Sequence, residues 1–198
     1  MKTAAFGFRV HSGWTSLVAV ALEKGKPIVL ARQRPHLVER FSYTFRQPYH
    51  TAEKMALDEA RDFLAKQQAE ARHCALAAIR ALERDVMQQG YQVTRAALLL
   101  ASGRPLPDLA KILAAHSIIH TADGEFFREA IQHACAQRKL ALITIKEREL
   151  FAEGSAALRR KPAALVKLVS GLGKALGSPW TQDEKFATLA AWLSTCPR

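Results

Sequence analysis

Three strand-length segments separated only by tight turns open the chain, and they constrain it more than anything that follows. In residues 4–11 (AAFGFRVH), Phe6, Phe8 and Val10 alternate with Gly7, Arg9 and His11. A period of two puts the apolar set on one side, which predicts a strand with one buried face. Ser12 and Gly13 supply a turn, and residues 15–22 (TSLVAVAL) form a β-branched second strand. After the turn at 23–27 (EKGKP), residues 28–34 (IVLARQR) make a third. Strands joined by so few residues pair antiparallel, as a meander.

The segment 35–50 is less regular, and residues 41–45 suggest a further short strand. The period then changes. Residues 52–89 contain neither Gly nor Pro, and apolar residues recur at Ala60, Phe63, Ala71, Cys74, Ile79, Leu82 and Val86. That spacing predicts a helix, about 55 Å long if unbroken. Polar crowding at 67–72 leaves a break equally open, and Gly90 supplies the stop. Residues 93–101 (VTRAALLLA) are nearly all apolar, as in a strand covered on both faces. A breaker at 102–105 leads to a short helix at 107–115, then to a helix capped by Thr121 that runs to about Lys139. Residues 140–146 (LALITIK) are a second buried strand. Helices at 147–158, 162–176 and 181–194 complete the chain, the last opened by a capping box of Thr181 with Glu184 three residues on. This order predicts one α/β domain over 1–198. Its sheet is mixed, a three-strand antiparallel meander plus two parallel strands, flanked by helices and with the long helix after the meander.

Composition narrows the function classes. A hydrophobic fraction of 49% excludes wholesale disorder, and 10 Gly with 8 Pro exclude a collagenous chain. Three widely spaced cysteines, Cys74, Cys135 and Cys196, point to a reducing cytoplasm rather than a disulfide framework. Cys74 and Cys135 fall on predicted helix faces as buried small hydrophobes, and Trp192 is expected in the core. Arg9, His11, Ser12 and Gly13 interrupt the apolar start, so no secretory leader is expected. No apolar run is long enough to predict a membrane span.

Net charge is +11, and it is uneven. Residues 1–50 hold 8 basic and 2 acidic residues (+6), residues 51–90 hold 6 and 7 (−1), and residues 146–198 hold 9 and 5 (+4). The positive field therefore belongs to the sheet and the C-terminal helices, which makes a polyanionic partner plausible.

The order βββαβαβα resembles the ribonuclease H-like fold, shared by RuvC-type resolvases and actin-like ATPases. Residues 7–16 (GFRVHSGWTS) look like the first hairpin of those families, usually written Gly-Ile-Asp-x-Gly-Ser/Thr. Residues 183–191 (DEKFATLAA) are similar to the helix that closes RuvC-like domains with an Asp followed by small apolar residues. The resemblance implies that the first-strand Asp, which holds a divalent metal in the family, falls on Arg9. It also implies a strand-end carboxylate near residues 100–102, where none stands. Asp183, with Glu184 beside it, is what remains. A guanidinium cannot ligate Mg²⁺, and hydrolysis at two metals needs several converging carboxylates. The scaffold is implied, with its metal site dismantled.

Several candidate sites follow from the residues themselves. Arg9, on the polar side of the first strand, offers a rigid fork of donors to a phosphate or carboxylate, or makes a salt bridge to Asp183. His116, His120, Asp123 and Glu125 are the densest titratable cluster. Their spacing admits metal ligands, although Asp123 and Glu125 placed at a helix N-terminus explain it as well, and no metal site is expected. Residues 170–175 (SGLGKA) miss the P-loop pattern and read as a helix face. Arg159, Arg160 and Lys161 form the sharpest basic cluster, which Lys167 and Lys174, seven apart, extend along one helical face. The aromatic residues Trp14, Tyr43, Phe45 and Tyr49 are distant from it in sequence.

The leading expectation is a non-catalytic module for a phosphate-bearing partner, nucleic acid first, without a cofactor. Arg9 lies at its centre, with Arg159, Arg160, Lys161, Lys167 and Lys174 at the rim. One alternative is a divergent Mg²⁺-dependent nuclease or phosphodiesterase built on Asp123, Glu125, Asp183 and Glu184. Another is a protein-interaction scaffold that docks through the long helix.

Overall fold

The computed structural model describes residues 1–101 and 105–196, so the breaker expected at 102–105 lies outside it apart from Pro105. Strands β1 (Lys2–His11), β2 (Trp14–Glu23) and β3 (Lys26–Gln33) form the expected meander. Strands β4 (Tyr91–Leu100) and β5 (Ala141–Lys146) extend it into one five-stranded sheet of order β3-β2-β1-β4-β5. The β1–β2 and β2–β3 pairs are antiparallel, whereas β1–β4 and β4–β5 are parallel.

β1 is central and covered on both sides, in contrast to the single buried face its alternation suggests. Phe6, Phe8 and Val10 join a core with helix α3 (Leu57–Gln88) and helix α5 (His116–Gln137). The opposite side of the sheet, through Val18, Val20, Ala97 and Leu99, packs on α6 (Leu150–Leu158), α7 (Pro162–Leu172) and α8 (Gln182–Ser194). Gly7 faces α8, and a Cβ there would lie 1.9 Å from the Ala187 carbonyl oxygen. Only glycine lets the helix backbone approach β1 this closely. β5 is an edge strand with Ile145 alone buried, so LALITIK is less covered than its apolar content suggests.

α3 is unbroken over 32 residues. Ala60, Leu64, Gln67, Ala71, Ala75, Ile79, Leu82 and Val86 keep one stripe buried straight through the polar stretch, because the opposite face takes the charges. Its start is later than expected, since Pro48 opens a separate helix α2 (Pro48–Ala52). The short strand expected at 41–45 is a helical turn, α1 (Tyr43–Arg46). Phe41 stacks on His36 at 4.0 Å and takes the Arg46 guanidinium over its ring at 4.5 Å, which folds the segment back on itself and away from any sheet edge.

Two further boundaries differ. After α4 (Leu109–Leu113), capped by Asp108, α5 begins at His116, so Thr121 lies inside the helix and caps nothing. α7 stops at Leu172 and gives way to a 3₁₀ turn over Gly173–Leu176. Trp180 causes this by packing on Gly173, where a Cβ would meet its ring at 2.1 Å, and by donating its indole N–H to the Val169 carbonyl at 2.9 Å. Lys167 and Lys174 therefore do not share one continuous α-helical face. The α8 capping box is formed, with the Glu184 carboxylate accepting from the Thr181 N–H at 2.7 Å. Trp192 and Cys135 are buried and Cys74 is half-buried. Burial pushes the Cys135 thiol up to about 12. No helix among the described residues is long and apolar enough to cross a membrane.

Candidate functional site

The parallel strands β1, β4 and β5 end at one edge of the sheet, where open α/β sheets place their ligand crevice. Arg9 stands near the end of β1, Glu147 is the first residue after β5, and Asp183 lies in the first turn of α8. The fold joins these three although they are 138 and 174 positions from Arg9 along the chain. The Arg9 Nε and Nη2 donate to both Glu147 oxygens at 2.9 and 2.6 Å, a bidentate pair. Its Nη1 donates to the Asp183 Oδ1. The guanidinium carbon lies 5.1 Å from the centre of the Phe186 ring, so one face is closed by an aromatic side chain.

His11 completes the group, its Nε2 lying 2.8 Å from the same Asp183 oxygen. Its ring stacks on Trp14 at 4.2 Å and 9°, and the Arg34 guanidinium lies 3.5 Å from the centre of the Trp14 ring. Carboxylates on both sides, Glu147 first, hold the Arg9 proton more tightly than usual. For Asp183, burial alone would raise the carboxyl pKa. The hydrogen bond and charge of His11, then those of Arg9, outweigh it and hold the group below the ordinary carboxylate range.

Strand order, the antiparallel meander, the parallel crossovers and a site at the strand ends together define a ribonuclease H-like fold. No family profile and no curated protein matches this sequence. Solved structures do. The Holliday junction complex of Thermus thermophilus RuvC superposes with a TM-score of 0.52 at 13% identity, over 96% of this chain and 91% of that one. RuvC from the same organism, solved separately, gives 0.51 at 13% identity, over 96% and 92%. The yeast mitochondrial Holliday junction resolvase Ydc2 gives 0.49 at 11% identity, over 96% and 75%.

Phosphodiester hydrolysis at divalent ions needs several carboxylate oxygens converging on the metal. Asp183 and Glu147 do converge here, around a guanidinium. A fixed positive charge occupies the space between them, and three of its N–H groups engage the oxygens a hydrated Mg²⁺ would need. The donor set does not fit that ion.

The four carboxylates considered for a nuclease are not brought together. Glu184 is committed to capping α8. Asp123 and Glu125 lie on α5, across the sheet from α8 and Asp183. Neither sits at a helix N-terminus, because α5 starts seven residues before Asp123. Asp123 is buried and accepts the Tyr49 N–H at 2.7 Å, while Glu125 pairs with Arg128 at 3.0 Å. Arg159, Arg160, Lys161, Lys167 and Lys174 are all exposed, the first three around the α6–α7 junction, where Arg159 has a left-handed backbone. Of the aromatics, Trp14 borders the Arg9 cluster, Tyr43 is exposed, and Phe45 and Tyr49 pack against the core.

Sequence reasoning passed over Glu147, His11 and His50. A signal for Glu147 was present, since an acidic residue directly after a parallel strand stands at the crevice edge. His11 is two residues beyond Arg9 and shares its side of β1. His50 sits in an irregular segment with no periodic cue.

Proposed function

We propose that this chain is a RuvC-like module that binds duplex or branched nucleic acid through its phosphates and does not hydrolyse it. The observation that carries this reading is the Arg9 ion-pair cluster at the crevice. Its guanidinium takes up Glu147 and Asp183, which leaves those carboxylates no vacancy for a catalytic ion. Arg9 on this reading locks β1 to β5 and α8. Phosphate contacts fall to the exposed cations Arg159, Arg160, Lys161, Lys167 and Lys174 in a chain of net charge +11. Contacts of that kind set position on a duplex without reading its bases. The Holliday junction bound by the Thermus RuvC is the natural first ligand to try.

The test is fluorescence anisotropy with a four-way junction and a matched linear duplex over a salt series, alongside a cleavage assay with Mg²⁺ and Mn²⁺. Binding should weaken with salt at a log–log slope of about −3 or steeper. The triple variant R159E/R160E/K161E should lose roughly 10-fold or more in affinity at fixed salt. No cleavage product should form with either ion. Affinity independent of salt overturns the binding half. Metal-dependent cleavage that disappears in Asp183→Asn overturns the non-hydrolytic half.

A further inference from the structure

The face of the sheet opposite the Arg9 cluster carries a second polar site of different chemistry. His50, from α2, meets His116 and His120, one turn apart on the same side of α5. The three rings stand edge to face, with centres 4.5 to 5.1 Å apart. One ring nitrogen from each lies within 4.8 Å of the other two. Behind His50 is Asp123, almost fully buried, with its Oδ2 at 2.5 Å from the His50 Nδ1 and its Oδ1 accepting the Tyr49 N–H at 2.7 Å.

We propose that His50, His116 and His120 bind one Zn²⁺ ion, with Asp123 as the positioning residue behind His50. A carboxylate only accepts hydrogen bonds, so the neutral His50 ring carries its proton on Nδ1 and presents the Nε2 lone pair to the ion. Carboxylate, imidazole and zinc in series is the usual way a ligating histidine is oriented. Imidazole nitrogens suit Zn²⁺, and three of them with one open position make a tetrahedral site. Zn–N distances of about 2.0–2.1 Å require nitrogens roughly 3.4 Å apart, closer than the present limit of 4.8 Å. His116 and His120 are exposed and free to rotate inward, while His50 is fixed by Asp123.

The remaining surroundings agree. The Glu53 carboxylate lies 3.9 Å from the His116 Nδ1. Ile112 of α4 packs with Ile119 and Ala122 of α5 in a small apolar cluster. A bound ion would clip α2 onto α5 and so order the irregular segment between β3 and α3. The spacing of His116, His120, Asp123 and Glu125 pointed to this region, but the ligand set is different. His50 replaces Glu125, and Asp123 moves behind the ligands. This proposal is independent of the nucleic-acid reading.

The test uses the full chain, stripped with a chelator and titrated with Zn²⁺ alone by calorimetry, with Co²⁺ as a spectroscopic substitute. One Zn²⁺ per chain should bind with a Kd tighter than about 10 µM. Co²⁺ should show the intense visible absorption of a tetrahedral site, and saturating Zn²⁺ should raise Tm by about 5 °C or more. His116→Gln with His120→Gln changes only exposed side chains and should weaken binding by more than about 100-fold while the apo Tm stays unchanged. Asp123→Asn should weaken it by roughly 10- to 100-fold. A Kd weaker than about 10 µM, or one that H116Q/H120Q leaves unchanged, overturns the site.

Discussion

The two faces of the sheet solve the same electrostatic problem in opposite ways. On the α8 face, Asp183 and Glu147 are compensated by a guanidinium that belongs to the chain, so the charge is balanced before any ligand arrives. On the α5 face, Asp123 is hidden behind His50, whose ring stands close to those of His116 and His120. The first arrangement is closed and the second is open. A carboxylate by itself therefore says little about whether a site takes a cation. What decides it is whether the nearest partner brings a permanent charge, as Arg does, or a lone pair, as neutral His does.

The sharpest way to break the closed site is from beneath. Gly7→Ala puts a Cβ into the Ala187 carbonyl and pushes α8, with Asp183 on it, off β1. Overpacking against backbone has no cheap relief, so a loss of about 3 kcal/mol or more is expected in denaturant unfolding. Removing the cation comes next. Arg9→Met strands Glu147 and Asp183 as neighbouring like charges, at about 2 kcal/mol once the buried-pair value is discounted for the solvent that reaches them. The triple variant R9M/E147Q/D183N should recover most of that loss. Failure of the triple to recover would mean that Arg9 stabilises through packing on Phe186 and not through charge. Thr181→Ala should cost about 1 kcal/mol by removing the cap that orients the first turn of α8.

These expectations draw on parts of the molecule that were unequally visible in sequence. The meander was legible because period-two alternation and Gly-bearing turns act over a few residues, and the capping box because its partners are three apart. Arg9 and Asp183 could be singled out, and so could the choice between a salt bridge and a phosphate contact. Glu147 could have been joined to them, since the strand at 140–146 was expected to run parallel and so to end at the crevice edge, but its sequence neighbours read as the start of a helix. The start of α5 was missed for a related reason. Thr121 followed by Asp123 and Glu125 looks like a helix beginning, yet Asp123 is held by the Tyr49 N–H and His50, 74 and 73 residues away. Long-range hydrogen bonds override a local signal of that size, and His50 is invisible without them.

The smallest expected effect is the most specific to the closed site, and it concerns acid. Asp183 titrates below the ordinary carboxylate range in the folded chain, because His11 and Arg9 outweigh its burial. Its contribution to stability is therefore complete above the unfolded value, about 3.9, and is lost as pH falls through the lower folded value. Denaturant midpoints followed from pH 7 to pH 2 should show wild type losing stability in that acid window. Asp183→Asn should begin lower at pH 7, by about 1 kcal/mol for a partly buried group, and fall less steeply, so that the two curves approach each other at the acid end. Parallel curves would mean that Asp183 gains nothing from its two cationic neighbours. The closed site would then be held by Glu147 alone, and the contrast between the two faces would reduce to a single ion pair.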